Sequence, residues 1–303
     1  MSGASRISVV IPAYHSQRTV GACLAALRRQ TLAPDEIIVV NSSPESETGA
    51  IVKRDYPEVI FEQSPVRLLP HAARNRGVEL ATGDVLVFTD PDCEAAPDWL
   101  AALVAGVATG HQCLIGAMDI KRDTWWQVGI HLCKFHPLLP GLASGPRVHA
   151  ATANACYTRE LWQQIGPFPA SAFCGDGVLS WRAAETGHAP RFVPGAVVKH
   201  DHDAGVVGLC RQRYRRGHDY GLVRREWHST AKWSVWLALL FSPAALPWVM
   251  ARAGWDAFRA GWTGRFLATM PVQALGHLLW ALGESRAALS RPRSSLLQER
   301  ESP

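Results

Sequence analysis

The sequence predicts an α/β protein with a doubly wound, mostly parallel sheet and helices on both faces. Short apolar runs rich in β-branched residues alternate with segments whose apolar residues recur at helical spacing, and the links between them are short. The chain has 303 residues, of which 48% are hydrophobic. This length and composition suit one large domain with a packed core, or one domain plus an appendage.

The individual elements follow from local patterns. Residues 7–11 are apolar except for Ser8 and end at Pro12, which is typical of a buried parallel strand. Apolar residues spaced at helical intervals between Val20 and Leu27 then predict a helix with one buried face. The same reasoning predicts further strands at 36–40, 59–63, 84–88 and 196–200, and helices at 48–54, 71–81, 158–165 and 176–187.

Two carboxylates stand at the end of the fourth strand, in LVFTDPDC. Open α/β sheets bind ligands at the carboxyl ends of their strands, and Asp90 and Asp92 lie at such an end, as do Tyr14 and Asn41. The two aspartates suit a divalent cation whose shell a phosphate completes. Asp and Pro are also ordinary turn residues, so a solvated loop is the alternative.

Cysteine usage and net charge narrow the class of protein. The seven cysteines are odd in number and form no CxxC, so we expect reduced thiols rather than a zinc ribbon or a disulfide framework. No long apolar run precedes Pro12, and we expect no signal peptide. The net charge of +5 suits an anionic partner such as a nucleotide, a phosphorylated lipid or a membrane.

Several motifs, in order along about residues 6–220, resemble those of family 2 glycosyltransferases. These are inverting, nucleotide-sugar-dependent enzymes with the GT-A fold. The similar stretches are SVVIPAY at 8–14, CLAALRRQT at 23–31, PDEIIVVNSS at 34–43, AARNRGVELATGDVLVFTDPDC at 72–93, ATANACYTRELWQQIGPF at 151–168 and GDGVLSWRAAETGH at 175–188.

The resemblance implies a metal site. Asp90 and Asp92 would hold Mg²⁺ or Mn²⁺, and the ion would neutralise the departing nucleoside diphosphate. His200 is the predicted third ligand, because related enzymes often have a histidine after this strand. His202 is the other candidate, and an ordinary surface histidine is the alternative to both.

The resemblance also implies donor contacts, with a nucleoside diphosphate sugar as the donor. Arg74 suits the diphosphate, or is a solvated surface arginine. Asn41 stands where the family commonly has an aspartate, so uracil, thymine and guanine all stay open as the base. Asn154 would contact sugar or phosphate, or is a buried, satisfied amide. The predicted donor-binding residues are Pro12, Ala13, Tyr14, Asn41, Arg74, Asp90 and Asn154.

Asp176 occupies the place of the family's catalytic aspartate and is the predicted general base beside the acceptor hydroxyl. The family's usual motif has a glutamate before this aspartate, whereas here Gly175 precedes it. A cap of the following helix is the alternative role. The differences from the family motif beside Asp176 and at Asn41 motivate an alternative function. In it, the protein is a catalytically weakened GT-A protein that binds nucleotide or acts as a scaffold.

The C-terminal third predicts membrane contact. Six arginines in residues 211–225 suit anionic lipid headgroups or a pyrophosphate-linked lipid, and no nucleic-acid motif accompanies them. Apolar stretches at 233–251 and 266–283 are near the length of a bilayer span. Spanning as a hairpin, lying in the interface, and packing as core helices stay open. We expect a peripheral or hairpin-anchored protein at the cytoplasmic face of the cell membrane, acting on a glycan or lipid-linked acceptor.

Three segments are predicted: a GT-A-like domain at 1–225, an apolar helical, membrane-associated segment at 226–288, and a polar tail at 289–303. Residues 119–150, with Trp125, Trp126 and a Gly/Pro-rich stretch, are predicted as a loop that closes over the substrate.

A nicotinamide-dependent dehydrogenase is disfavoured, because no GxGxxG follows the first strand.

Overall fold

The computed structural model describes residues 5–227 and 232–290. Within them, the strands are β1 Ile7–Ala13, β2 Glu36–Asn41, β3 Ile60–Gln63, β4 Val85–Thr89, β5 Cys93–Ala95, β6 Cys113–Ile120, β7 Gly145–Pro146, β8 Asn154–Thr158 and β9 Arg191–His200. The α-helices are α1 Val20–Arg28, α2 Glu47–Asp55, α3 Pro70–Leu80, α4 Trp99–Ala108, α5 Trp125–Phe135, α6 Arg159–Ile165, α7 Gly175–Glu185, α8 Val206–Trp227, α9 Lys232–Leu240, α10 Leu246–Arg259 and α11 Thr263–Ala288.

The strands form one mixed sheet in the order β3-β2-β1-β4-β8-β6-β9-β5, with β7 paired to β9. The α/β class is confirmed, and β1 to β4 pair with one another in parallel, as predicted. The other half is not: β8 pairs antiparallel with β4 and β6, and β9 with β5 and β7. The sheet is therefore mixed rather than mostly parallel. Strands of three and two residues, such as β5 and β7, are too short for an alternation pattern to show.

The parallel register brings several strand ends to one edge. Ala13 pairs with Asn41, and Asn41 pairs with Gln63. Val10 pairs with Phe88 two residues before the first aspartate, so Asp90 follows at the same edge. The central residues of β1, β2 and β4 are buried and, apart from Ser8, apolar, which makes a one-residue slip in this register costly.

The chain forms two compact units. The first comprises the described residues up to Asp119, together with Ala143–Ala170 and Gly175–His200, and contains the sheet with α1 to α4, α6 and α7. The second comprises Ile120–Leu142, Ser171–Cys174 and the described residues from Asp201 onward. The boundaries expected at 225 and 288 stay predictions, and all but two residues of the expected polar tail lie outside the described residues.

The second unit is helical, and its helices approach closely. A side-chain carbon added at Gly217 of α8 would lie 2.1 Å from the carbonyl oxygen of Trp280 in α11. One added at Gly129 of α5 would lie 2.5 Å from Val272. Residues 119–150 therefore contain a packed helix rather than the predicted loop. Its N-cap is Thr124, whose hydroxyl accepts a bond from the Gln127 amide.

The apolar stretch at 233–251 is not one helix. α9 ends at Leu240, a 3-10 turn covers Ser242–Ala245, and α10 starts at Leu246. Pro243 and Pro247 stand in the first turns of the new helices, where the missing N–H costs nothing. α9 and α10, with 9 and 14 residues, are each too short to cross a bilayer, which counts against the alternative of a hairpin of two spanning helices.

The stretch at 266–283 lies inside α11. Among the described residues, α11 is the one helix long and apolar enough to cross a membrane by length and composition. However, 44% of its most apolar window is buried inside the protein. The buried residues include Gln273, His277 and Glu284, which are polar. A helix with one packed, partly polar face is also what a core helix presents.

Candidate active site

The carboxylate of Asp90 forms an ion pair with Arg74 of α3. The Arg74 side chain is only 3% exposed, so this arginine is not a solvated surface residue. Asp90 retains 28% of its side-chain exposure. The buried Arg74 therefore compensates the charge of Asp90, and part of the Asp90 carboxylate stays accessible to solvent. Residues 74 and 90, both predicted from the sequence, are brought together here.

Asp92 lies beside His200, the last residue of β9. The Asp92 Oδ2 atom is 3.7 Å from His200 Nε2, and 37% of the Asp92 side chain is exposed. A carboxylate oxygen and an imidazole nitrogen at this separation fit a divalent cation bound by protein oxygen and nitrogen. The other predicted histidine, His202, belongs to the helical unit, where its Nε2 is 3.1 Å from His131 Nδ1.

Cys93 adds a sulfur to this group, and the sequence analysis missed it. One donor atom each from Asp92, Cys93 and His200 lie within 4.8 Å of one another. Burial, with smaller contributions from the charges of Asp92 and Asp90, raises the pKa of the Cys93 thiol well above its ordinary value. No disulfide joins any of the seven cysteines, and six of them are buried.

The ends of β1 and β2 lie at the same edge as Asp90 and Asp92, the acidic pair. Pro12 and Ala13 are buried in β1, and Tyr14 is 38% exposed just beyond it. The guanidinium of Arg67 lies 4.5 Å from the centre of the Tyr14 ring. Arg67 was not predicted, because nothing in its local sequence marks it. It gives this edge a positive group stacked on a partly exposed aromatic ring.

Asn41, at the end of β2, is fully buried rather than part of an open turn. Its amide donates to Gln63 Oε1 at 2.8 Å, and its oxygen accepts from Ser43 Oγ at 2.7 Å. Both edges of the side chain therefore have protein partners, which hold it in one orientation.

Asn154 is bonded to helix α4 and to two neighbouring strands. Its oxygen accepts from the indole N–H of Trp99 at 2.7 Å. Its amide donates to the carbonyl oxygens of Ala117 and Ala196 at 2.9 and 2.8 Å. The structure thus favours the buried, satisfied amide over a sugar contact, and the local sequence gave no sign of these distant partners.

Asp176 lies in the first turn of α7 and is partly exposed. Its Oδ1 atom accepts a bond from the adjacent Gly177 amide at 2.9 Å, and its negative charge lies in the first turn of α7, where it favours the helix start. His149 lies close enough for its pKa to depend on this charge. Burial lowers the pKa of His149, and the negative charge of Asp176 offsets part of that decrease. The geometry accommodates both a base and a cap.

His71 lies between Arg74 and Gly175, the residue before Asp176, and it too was missed. The His71 Nδ1 atom is 3.5 Å from Arg74 Nη1, and the ring is 97% buried. A side-chain carbon added at Gly175 would lie only 2.9 Å from His71 Cδ2. Packing on His71 thus explains why a glycine stands before Asp176. The i, i+3 spacing of His71 and Arg74 on one helix was the available signal.

The mixed α/β sheet, with an acidic pair at the carboxyl end of β4, fits the GT-A fold of glycosyltransferases. The fold is similar to that of the mannosyltransferase PcManGT from Pyrobaculum calidifontis, solved in complex with GDP-Man and Mn²⁺. That similarity covers 99% of this chain and 79% of the other, with a TM-score of 0.57 at 20% identity. Residues 8–166 match the profile of Glycosyl transferase family 2, more than half of the chain. The protein belongs to this family and is a glycosyltransferase.

Two curated relatives agree with this assignment. Glycosyltransferase AglE from Haloferax volcanii is 26% identical over 226 residues, which cover 70% of this chain and 71% of that protein. The uncharacterized glycosyltransferase YwdF from Bacillus subtilis is 34% identical over 226 residues, which cover 69% of this chain and 81% of that protein.

Proposed function

We propose that the protein is a metal-dependent, inverting glycosyltransferase. It transfers a sugar from a nucleoside diphosphate donor to a hydroxyl of a lipid-linked or cell-surface glycan, at the cytoplasmic face of the cell membrane. The observation that carries the proposal is the group at the end of β4, where Asp92 faces His200 and Asp90 pairs with Arg74.

Asp92 and His200 would hold Mg²⁺ or Mn²⁺, with Asp90 at the edge of the same site. Their oxygen and nitrogen donors fit such an ion, and the Mn²⁺ in the PcManGT complex supports the choice. When bound, the ion supplies Lewis-acid neutralisation of the diphosphate leaving group. Arg74 holds Asp90 in place and adds a fixed positive charge behind it.

The donor would lie along the edge formed by β1, β2 and β4. Tyr14 and Arg67 offer an aromatic face and a cation for the base or a phosphate. Pro12 and Ala13 bring the Tyr14 backbone to this edge, where Ala13 pairs with Asn41. Because both edges of the Asn41 side chain have protein partners, we expect it to shape the base pocket. Asn154 supports the sheet beneath this edge.

Asp176 would take the proton from the acceptor hydroxyl as that oxygen attacks the sugar carbon. One displacement, with attack and departure on opposite faces, inverts the configuration at that carbon. His71 positions the start of α7 and contacts Arg74, so it couples the base to the acidic pair without touching substrate.

A thermal-shift panel tests the donor and ion together. We expect the melting temperature to rise with one class of nucleoside diphosphate when Mn²⁺ is present, and neither the ion nor the nucleotide alone to give the full shift. Ligand at 100 times its Kd contributes about 2.7 kcal/mol, which is readily measured. The base that gives the shift identifies the donor class. Equal shifts with and without Mn²⁺ would contradict metal dependence.

The membrane contact would be made by the exposed face of α10. Trp248, Trp255 and Phe258 are 64, 59 and 61% exposed, whereas Ala253 and Ala257 on the opposite face are fully buried. Aromatic side chains so exposed are costly in water and typical of a membrane interface.

Arginines accompany these aromatic side chains. Arg252 lies over the Trp248 ring at 5.7 Å, and Arg259 is exposed on the same face. No acid is among the exposed residues of this helix, because Asp256 is partly buried and paired with His136. A positive, aromatic face on a 14-residue helix fits an anionic lipid surface with the helix lying in its plane.

Vesicle binding tests this face. We expect the double substitution Trp248→Ser and Trp255→Ser to weaken binding to anionic vesicles at least tenfold, because burying one large apolar side chain contributes about 1.5–3 kcal/mol. Val66→Ser, at an exposed valine of the sheet unit, is the matched control. Vesicle binding that the double variant retains would contradict the assignment. Self-association without vesicles, abolished by the same substitutions, would assign the face to a second copy.

A further inference from the structure

We propose that Cys93 is a third protein ligand beside Asp92 and His200, so that this site also binds thiophilic divalent ions such as Zn²⁺ and Co²⁺. The inference uses the metal position of the proposed function but does not depend on sugar transfer. It assigns a role to a residue that the sequence motifs leave unexplained.

Strand pairing places the thiol beside the imidazole. Cys93 is the first residue of β5 and pairs directly with His200, the last residue of β9, in antiparallel register. Directly opposite residues on neighbouring strands project to the same face of a sheet. The Cys93 Sγ atom is also 3.8 Å from Asp92 Oδ1. The sulfur, oxygen and nitrogen therefore come from two strand ends that the sheet itself aligns.

The donor set favours zinc over magnesium. Zn²⁺ takes sulfur, imidazole nitrogen and carboxylate oxygen in four-coordinate sites, and three protein ligands leave one position open. Mg²⁺ prefers an all-oxygen octahedral shell and gains little from a thiol. Affinity for such sites rises from Mn²⁺ to Co²⁺ and is higher again for Zn²⁺. When the metal–sulfur bond forms, the S–H bond breaks and its proton leaves to solvent.

Cys23 provides the matched comparison. It is also fully buried near the acidic pair, but its Sγ atom lies 3.5 Å from the backbone carbonyl oxygen of Asp90. It is not part of the group formed by Asp92, Cys93 and His200. A serine at either position changes one sulfur to oxygen in the same buried region, and only one of the two should change metal binding.

The experiment is a cobalt titration of the full-length, metal-free protein, followed by absorption spectroscopy. We expect near-ultraviolet sulfur-to-cobalt charge transfer that saturates at one ion per chain and disappears when Zn²⁺ is added. Cys93→Ser should lose this band and weaken Zn²⁺ binding at least about tenfold, since even an outer-shell partner is worth about 10–100-fold. Cys23→Ser should retain both properties.

Each outcome decides the proposal. A wild-type protein that binds Co²⁺ without the sulfur band overturns it, and this measurement requires no variant to fold. A band that persists in Cys93→Ser assigns the sulfur to another cysteine and also overturns it. Circular dichroism of the metal-free variants shows whether they are folded. Mn²⁺-dependent sugar transfer without a sulfur band would leave the proposed function intact and remove only this inference.

Discussion

Replacing Asp176 by asparagine is expected to lower sugar transfer about 10²- to 10⁴-fold, the usual contribution of a general base. Donor binding should be unchanged, because the acidic pair and its arginine are not altered. An asparagine oxygen still accepts the bond that the Gly177 amide donates to residue 176, but it does not accept the acceptor proton. Transfer is measured as nucleoside diphosphate released at saturating donor.

Two further variants separate the base from the cap. Asp176→Ser keeps a side-chain oxygen that caps a helix but has no basic group, so we expect a folded, inactive protein. Asp98→Asn alters the N-cap of α4, whose carboxylate accepts from Thr31 Oγ1 at 2.8 Å, and should leave transfer unchanged. If Asp176→Ser transferred sugar at the wild-type rate, Asp176 would be a structural residue only.

Those variants also test the alternative function. Gly175, which packs on His71, stands where the family usually has an acidic residue before its base. The loss of that acidic residue is the feature that would weaken catalysis. Nucleotide binding with no detectable turnover in the wild type, and no change on Asp176→Asn, would favour the nucleotide-binding or scaffold role.

Replacing Asp92 by asparagine is expected to remove the Mn²⁺-dependent part of nucleotide binding and to lower transfer about 10³-fold. The loss corresponds to ~4 kcal/mol, within the several kcal/mol that a Lewis-acid ion contributes to charge stabilisation. The amide lacks the negative charge that the ion requires, whereas the neighbouring Asp90–Arg74 pair is unchanged. Calorimetry of nucleotide binding with and without Mn²⁺ measures the change.

The matched variant at Asp90 should behave differently. Asp90→Asn leaves the buried Arg74 cation without its carboxylate, and we expect the free energy of unfolding to fall by about 3 kcal/mol. This is the lower end of the usual range, because Asp90 is partly exposed. Asp92→Asn, at a more exposed site, should change stability by no more than about 0.5 kcal/mol. Equal losses in urea denaturation would contradict the assignment of Arg74 to Asp90.

The parallel half of the sheet and the position of the acidic pair follow from the sequence alone. β1, β2 and β4 are short strands whose central residues are almost all apolar, and parallel strands with both faces covered show that pattern. A residue that directly follows such a strand must lie at the carboxyl edge of the sheet. Asp90 and Asp92 were therefore predictable, and so were the starts of α3 and α7 near Arg74 and Asp176.

Only the tertiary structure decided which side chains meet. Cys93 lies beside His200 because β5 and β9 pair in one register across more than a hundred residues, and a shift of one residue would turn the thiol away. His71 meets Gly175, and Arg67 covers Tyr14, through packing between segments that are far apart in the chain. Local spacing determines which face of an element is apolar. It does not determine which distant element that face will contact, because that choice depends on the packing of the whole chain.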